Sequence, residues 1–277
     1  MTQQSETYGE SRTADLGGPV HYVDFGGPDG GSAVVLVHGL GGSHLNWDLF
    51  APLLRPDARV LALDLPGFGR SEPGDRRTTV QDNVKVLDRF VREVAGSPAV
   101  LVGNSMGGPV CLEVAHSAPE RVAGVVLASP AGGVHNQPLG RALVQLARDV
   151  GRENPRMVRV VLPDYLRFGP MNALQLFGEL VRFPSLERVL RTPVPTLAVI
   201  GSRDPLMPPP WRVREVGRLA PPHLTIAVIE GAAHAMNFSH PGELAHVIGS
   251  WLDGREITDD PDQPGVARVV QLRRDDR

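Results

Sequence analysis

Short uninterrupted runs of apolar, β-branched residues alternate along this chain with longer stretches whose apolar positions recur at helical spacing. Ala33 to Val37, Arg59 to Leu65, Pro98 to Val102, Val122 to Ala128, Thr196 to Gly201 and Leu224 to Glu230 read as strands buried in a sheet, and Pro19 to Phe25, which alternates, reads as an edge strand. Trp47 to Leu54, Thr79 to Val94, Val110 to Ala115, Arg212 to Leu219 and Glu243 to Leu252 carry the helical pattern. Strand followed by helix, repeated, predicts a mostly parallel sheet with helices on both faces.

Between 131 and 193 the pattern changes. Leu143, Leu146, Val150, Val158, Leu162 and Leu166, then Leu174, Leu176, Leu180 and Val181, suggest short helices with no clear strand among them. An insertion of this kind between two strands predicts a helical cap over the edge of the sheet. The expected division is a core of residues 13–130 and 194–253, a helical cap over 131–193, a disordered N-terminus over 1–12, and a mostly disordered tail over 254–277. Within the tail, Val269 to Leu272 is apolar enough to dock locally.

The most telling stretch joins the strand ending at Val102 to the helix beginning near Val110. Only Gly103-Asn104-Ser105-Met106-Gly107-Gly108 is left to make the reversal, so Ser105 sits at the apex of a sharp turn with glycine two positions to either side. Its hydroxyl is pushed out above the sheet edge while the first amides of the helix, starting with Met106, point back toward it. Acyl transfer needs such an exposed nucleophile beside donors for an oxyanion. A second donor has to come from another loop at this edge. The glycine-rich His38-Gly39-Leu40-Gly41-Gly42 after a central strand can present the amide of Leu40, with His38 supporting the loop through hydrogen bonds.

A serine becomes a nucleophile only with a base, and the base needs an acid group to orient it. Among nine histidines, His234 follows a strand and the turn Gly231-Ala232-Ala233, which brings it to the edge that carries Ser105. Asp204 follows the preceding strand by the same logic. Asp64, in Asp64-Leu65-Pro66-Gly67, is its rival, although an aspartate there also serves to bond the backbone of its turn. Trp47, Phe68, Met236 and Phe238 are candidate pocket walls from their positions beside these motifs.

Composition adds limits. Hydrophobic content of 42% with 21% charge is ordinary for a soluble globular enzyme, and a net charge of -3 gives no electrostatic reason to expect nucleic acid or an acidic membrane as partner. The single cysteine, Cys111, cannot form an internal disulfide. No apolar leader or membrane-length run is visible, which makes a cytoplasmic location the expectation. Lys85 is the lone lysine against 27 arginines, a bias that suggests a GC-rich bacterial genome. No cluster of histidine and cysteine shows metal-ligand spacing, so neither a metal nor a cofactor is expected.

The order Ser105, Asp204, His234, with His38-Gly39-Leu40-Gly41-Gly42 upstream and Asp64-Leu65-Pro66-Gly67-Phe68-Gly69-Arg70-Ser71 between, closely resembles the α/β-hydrolase superfamily over residues 16–253. The resemblance implies an α/β-hydrolase fold with a mostly parallel eight-stranded sheet, the triad Ser105, His234 and Asp204, an oxyanion hole from the amides of Leu40 and Met106, and a cap enclosing an acyl pocket. Gly-Asn-Ser-Met-Gly-Gly is similar to capped bacterial esterases and to carbon-carbon bond hydrolases of ring-fission products. Haloalkane dehalogenases and epoxide hydrolases carry a carboxylate where this chain has Ser105, and cofactor-free haloperoxidases usually carry tryptophan where it has Leu40. The expected activity is hydrolysis of a small-molecule carboxylic ester through an acyl-enzyme. The alternatives are carbon-carbon bond hydrolysis, acyl transfer or thioester hydrolysis on the same triad, and a non-catalytic receptor. The carbon-carbon reading draws on the cap, where nine arginines against five acidic residues, Arg141, Arg148, Arg152 and Arg188 among them, could meet a substrate carboxylate.

Overall fold

A computed structural model describes residues 9–28, 33–54, 58–73, 78–96, 98–132, 138–153, 155–259 and 268–272. Among the described residues nine strands form one sheet: β1 (Glu10–Asp15), β2 (Pro19–Gly26), β3 (Ala33–Val37), β4 (Arg59–Leu63), β5 (Ala99–Asn104), β6 (Val122–Ala128), β7 (Thr196–Gly201), β8 (Leu224–Ile229) and β9 (Val269–Leu272). Their order is β1-β2-β4-β3-β5-β6-β7-β8-β9. The run from β4 to β8 is parallel, and the pairs β1·β2, β2·β4 and β8·β9 are antiparallel.

Each central strand feeds two cores because successive side chains point to opposite faces. Val35, Val37 and Leu101 join one apolar cluster, while Val34, Leu36, Val100 and Val102 join the other. That is why these strands read as unbroken apolar runs rather than alternating ones. The first face is covered by α2 (Val80–Phe90), α3 (Gly107–Ser117) and α8 (Pro210–Leu219), and the second by α1 (Ala51–Leu54) and α10 (Pro241–Leu252). α2 opens on a capping box in which Thr79 Oγ1 accepts from the Asp82 amide and Asp82 Oδ2 accepts from the Thr79 amide. Cys111 lies fully buried on α3, and burial raises its thiol far above the ordinary range, so it is a core filler. The helix expected from Trp47 to Leu54 is instead a 3₁₀ turn, His44–Trp47, followed by the single turn α1.

Two expectations are corrected at the sheet edges. Glu10 to Arg12 are part of β1 and not disordered, and the sheet has nine strands rather than eight. β1 pairs along its whole length with β2 but buries almost none of its side chains, and Glu10, Arg12 and Asp15 leave it a charged outer edge. β9 lies in the stretch expected to be mostly disordered and closes the other edge against β8. Residues 1–8, and 260–267 and 273–277 of the tail, lie outside the described residues.

Between β6 and β7 lie the helices α4 (Leu139–Val150), α5 (Pro155–Phe168), α6 (Pro170–Arg182) and α7 (Ser185–Leu190), with no strand among the described residues there. They cover the C-terminal edge of the sheet, where Phe168 stacks on Phe68 with ring centroids 4.2 Å apart and Tyr165 packs against Gly41. A short helix, α9 (Met236–Ser239), follows β8. No helix among the described residues is long and apolar enough to cross a membrane.

Candidate active site

Ser105 follows β5 directly and has φ of 51°, a left-handed conformation that a residue with a side chain adopts at a cost of about 1–2 kcal/mol. The turn holds it there. The Ser105 amide donates to the Ala128 carbonyl at 3.1 Å, and its own carbonyl accepts from Gly108 and Ala131, both at 3.0 Å. The flanking glycines are required by space: a Cβ on Gly103 would lie 2.4 Å from the Gly107 backbone, and one on Gly107 would lie 2.2 Å from the Val37 carbonyl oxygen. The His38 loop approaches equally closely, since a Cβ on Gly39 would lie 3.1 Å from that of Ser105. Leu40 and Ser105 therefore face the same space, while Met106 is the N-cap residue just before α3.

His38 stiffens this loop. Its Nδ1–H donates to the Gly39 carbonyl at 2.7 Å, and its Nε2 accepts from the Leu65 amide at 3.0 Å. Both ring nitrogens are thus engaged as a neutral imidazole, and complete burial holds its pKa below the ordinary value.

Across the cavity, His234 Nδ1 donates to Asp204 Oδ2 at 2.8 Å, and Asp204 Oδ1 accepts from the Leu206 amide at the same distance. Burial opposes the charge on Asp204, but His234 and the Leu206 amide outweigh it and leave the carboxylate below its usual range. Burial likewise opposes charge on the His234 ring, yet Asp204, joined by Asp149 and Glu153, raises it to about 9. Asn104 ties the two sides together, because its Nδ2 donates to the carbonyls of Ala128 at 3.1 Å and His234 at 3.2 Å.

Asp64 is committed elsewhere. It accepts from His21 Nδ1 at 2.8 Å, His44 Nδ1 at 2.9 Å, the His44 amide at 2.6 Å and the Arg70 amide at 2.9 Å. Among the described residues, His21, His44 and Asp64 form the group whose ligand atoms come close enough to hold a cation. They come from separate elements, so no sequence spacing announced them. Those donors are satisfied by one another, and His21 Nε2 also meets Ser11 Oγ at 2.7 Å, which makes the cluster a hydrogen-bonded brace.

Ser105, Leu40 and His234 line one cavity of about 290 Å³ under the cap. Its walls are mainly apolar cap residues, including Leu146, Val150, Met157, Val161 and Phe177, with Leu206 and Met207 from the loop after β7. Trp47, Phe68, Met236 and Phe238 do not line it. Trp47, Phe68 and Met236 are fully buried fillers of the two cores, so the expectation that they form the pocket is corrected. Nor does any arginine of the cap: among the described residues Arg188 pairs with Glu113, Arg191 with Glu187 and Arg167 with Asp164. The acidic residue in the wall is Asp149, which the sequence reading missed. A signal existed, since Ala142, Leu146, Asp149 and Val150 share one face of α4 and put a carboxylate on an apolar stripe.

The model of the Alpha/beta hydrolase family matches residues 34–247. The chain belongs to the alpha/beta hydrolase family. This alpha/beta hydrolase is 33% identical over 220 residues to the dihydrolipoyllysine-residue acetyltransferase component of an acetoin cleaving system from Pseudomonas putida, covering 70% of this chain and 58% of the relative. The chain thus spans little more than half of that protein. It is 27% identical over 251 residues to a pimeloyl-[acyl-carrier protein] methyl ester esterase from Yersinia enterocolitica, covering 79% of this chain and 93% of the relative. Among solved structures, a serine hydrolase involved in carbazole degradation superposes with a TM-score of 0.72 at 25% identity, covering 89% of this chain and all (100%) of that one.

Proposed function

We propose that this alpha/beta hydrolase is a serine carboxylic-ester hydrolase acting on a small-molecule ester with an apolar acyl group. The observation that carries the reading is that His234, joined to Asp204 at 2.8 Å, lines the same cavity as Ser105, whose backbone is held in a left-handed conformation. In the proposed reaction the neutral His234 takes the Ser105 proton as the oxygen attacks the ester carbonyl. The amides of Leu40 and Met106 hold the oxyanion, and Asp204 stabilises the imidazolium. His234 then protonates the departing alcohol and activates water to release the acid. The apolar wall supports an acyl chain as the occupant, and its volume suits a short or medium chain rather than a long one. The esterase activity named for the Yersinia enterocolitica relative agrees with this reading.

Carbon-carbon bond hydrolysis of an anionic diketone finds less support, because the arginine contact that favoured it has no counterpart in the described cavity wall. Acyl transfer to an alcohol or thiol would use the same steps with a different acceptor. The test is labelling with a fluorophosphonate, followed by p-nitrophenyl esters of graded chain length. The expected result is one phosphonyl group on Ser105 and turnover that Ser105→Ala removes. Turnover retained by Ser105→Ala overturns the reading.

A further inference from the structure

The end of α4 and the turn that follows it carry two acidic side chains that the ester-cleaving steps do not use. Asp149 and Glu153 are 4% and 8% exposed, and Asp149 Oδ1 and Glu153 Oε2 are buried with no hydrogen-bond partner among the described residues. The arrangement is unfavourable three times over: both carboxylates are desolvated, each repels the other, and Asp149 sits at the negative end of a helix dipole. Burial pushes Asp149 up to about 7, with Glu153 and Asp204 adding to the rise and His234 opposing it. Glu153 is raised in the same way.

The contacts of this short segment point to one place. Glu153 Oε1 accepts from the Ala235 amide at 2.7 Å, next in the chain to His234. The His234 backbone lies near Asp149 and favours its ionised form. Between the two acids, Arg152 Nη1 donates to the Arg203 carbonyl at 2.8 Å, next in the chain to Asp204. One stretch of cap therefore holds both loops that carry the acid–base pair.

We propose that Asp149 and Glu153 are positioning residues through which the seated cap fixes the loop of His234 and strengthens that histidine as a base. The proposal rests on the reading of His234 as the general base. Asp204 holds the ring from the core side, the two cap carboxylates add negative charge, and Glu153 grips the backbone beside it.

The test is a pH titration of His234 by NMR in protein with isotopically labelled histidine, paired with the rate of fluorophosphonate labelling across pH. Asp149→Asn and Glu153→Gln keep shape and remove charge. Each should lower the His234 titration midpoint, Asp149→Asn by about one pH unit, a tenfold change in proton affinity. Glu153→Ala also loses the Ala235 contact and should slow labelling at the alkaline plateau by about tenfold to a hundredfold, whereas Glu153→Gln, whose amide oxygen still accepts, should restore the plateau. A purely structural role would change unfolding without moving the titration. Midpoints unchanged in both isosteric variants, or wild-type labelling by Glu153→Ala, overturn the proposal. If the wild-type protein fails to label at any pH, the serine-hydrolase reading falls while the titration still decides whether the cap acts on His234.

Discussion

The side-chain amide of Asn104 donates across 3.2 Å to the main-chain carbonyl of His234, linking the residue before Ser105 to a histidine 130 positions later. The same Nδ2 also bonds Ala128, so one buried group spans β5, β6 and the loop after β8. Asn104→Ala should leave the His234 carbonyl without this donor, while Ala128 keeps the Ser105 amide, and cost about 1–3 kcal/mol of stability. It should also lower kcat/KM by about tenfold, through an imidazole less well aimed at Ser105. Chemical denaturation and steady-state kinetics on one preparation check both effects.

The two candidate acids make opposite predictions. Asp204→Asn leaves His234 without its charged partner and should drop kcat by about 10⁴-fold with the fold intact. Asp64→Asn removes a buried charge that braces two histidines and the Arg70 amide, and should cost about 3–5 kcal/mol of stability. Whatever fraction stays folded should cleave esters with the wild-type pH profile. Kinetics normalised to folded protein, alongside circular dichroism, separate the two.

Stability should fall as pH rises through neutrality. His234 is held at about 9 against an ordinary 6.5, so the folded state binds its proton more tightly. That contribution, up to about 3 kcal/mol, is whole below pH 6.5 and is lost by about pH 9. Asp149, raised from 3.8 to about 7, acts in the same sense over a lower window. Asp204 acts oppositely: its carboxylate lies below 3.8, so its contribution is present above that pH and fades in acid. Denaturation at pH 5, 7 and 9 should give unfolding free energies that decrease in that order. Labelling of Ser105 should rise with pH over the same alkaline range, since only neutral His234 accepts the proton.

Backbone crowding at the elbow makes Gly107 hard to replace. A methyl group there would press on the Val37 carbonyl at 2.2 Å, which belongs to the neighbouring strand and has nowhere to move. Gly107→Ala should destabilise the protein by more than about 2 kcal/mol and spread β3 from β5 beside the His38 loop. Gly140 has open space around it, so Gly140→Ala on α4 should be neutral or slightly stabilising. Comparing the two melting temperatures checks the contrast.

The central architecture was legible because its causes are local. Ala33 to Val37 and Val122 to Ala128 are unbroken apolar runs, and only strands covered on both faces require them. The elbow was legible for the same reason, since so few residues between β5 and α3 leave Ser105 one way to turn. Glu10–Asp15 escaped notice because an edge strand is made by backbone pairing and needs no apolar face to bury. Pocket walls escaped too: Trp47 in a core and Phe177 in a cavity wall have the same signature in a chain of letters.

What tertiary structure alone decided is which charge meets which partner. Asp64 and Asp204 each end a strand-like run, and only the closing of the sheet gave one to His21 and His44 and the other to His234. Asp149 and Glu153 became neighbours of that same imidazole because the cap folds back over 80 positions of intervening chain. Electrostatic energy depends on distance through space and on the water excluded between groups, and neither is written along the chain.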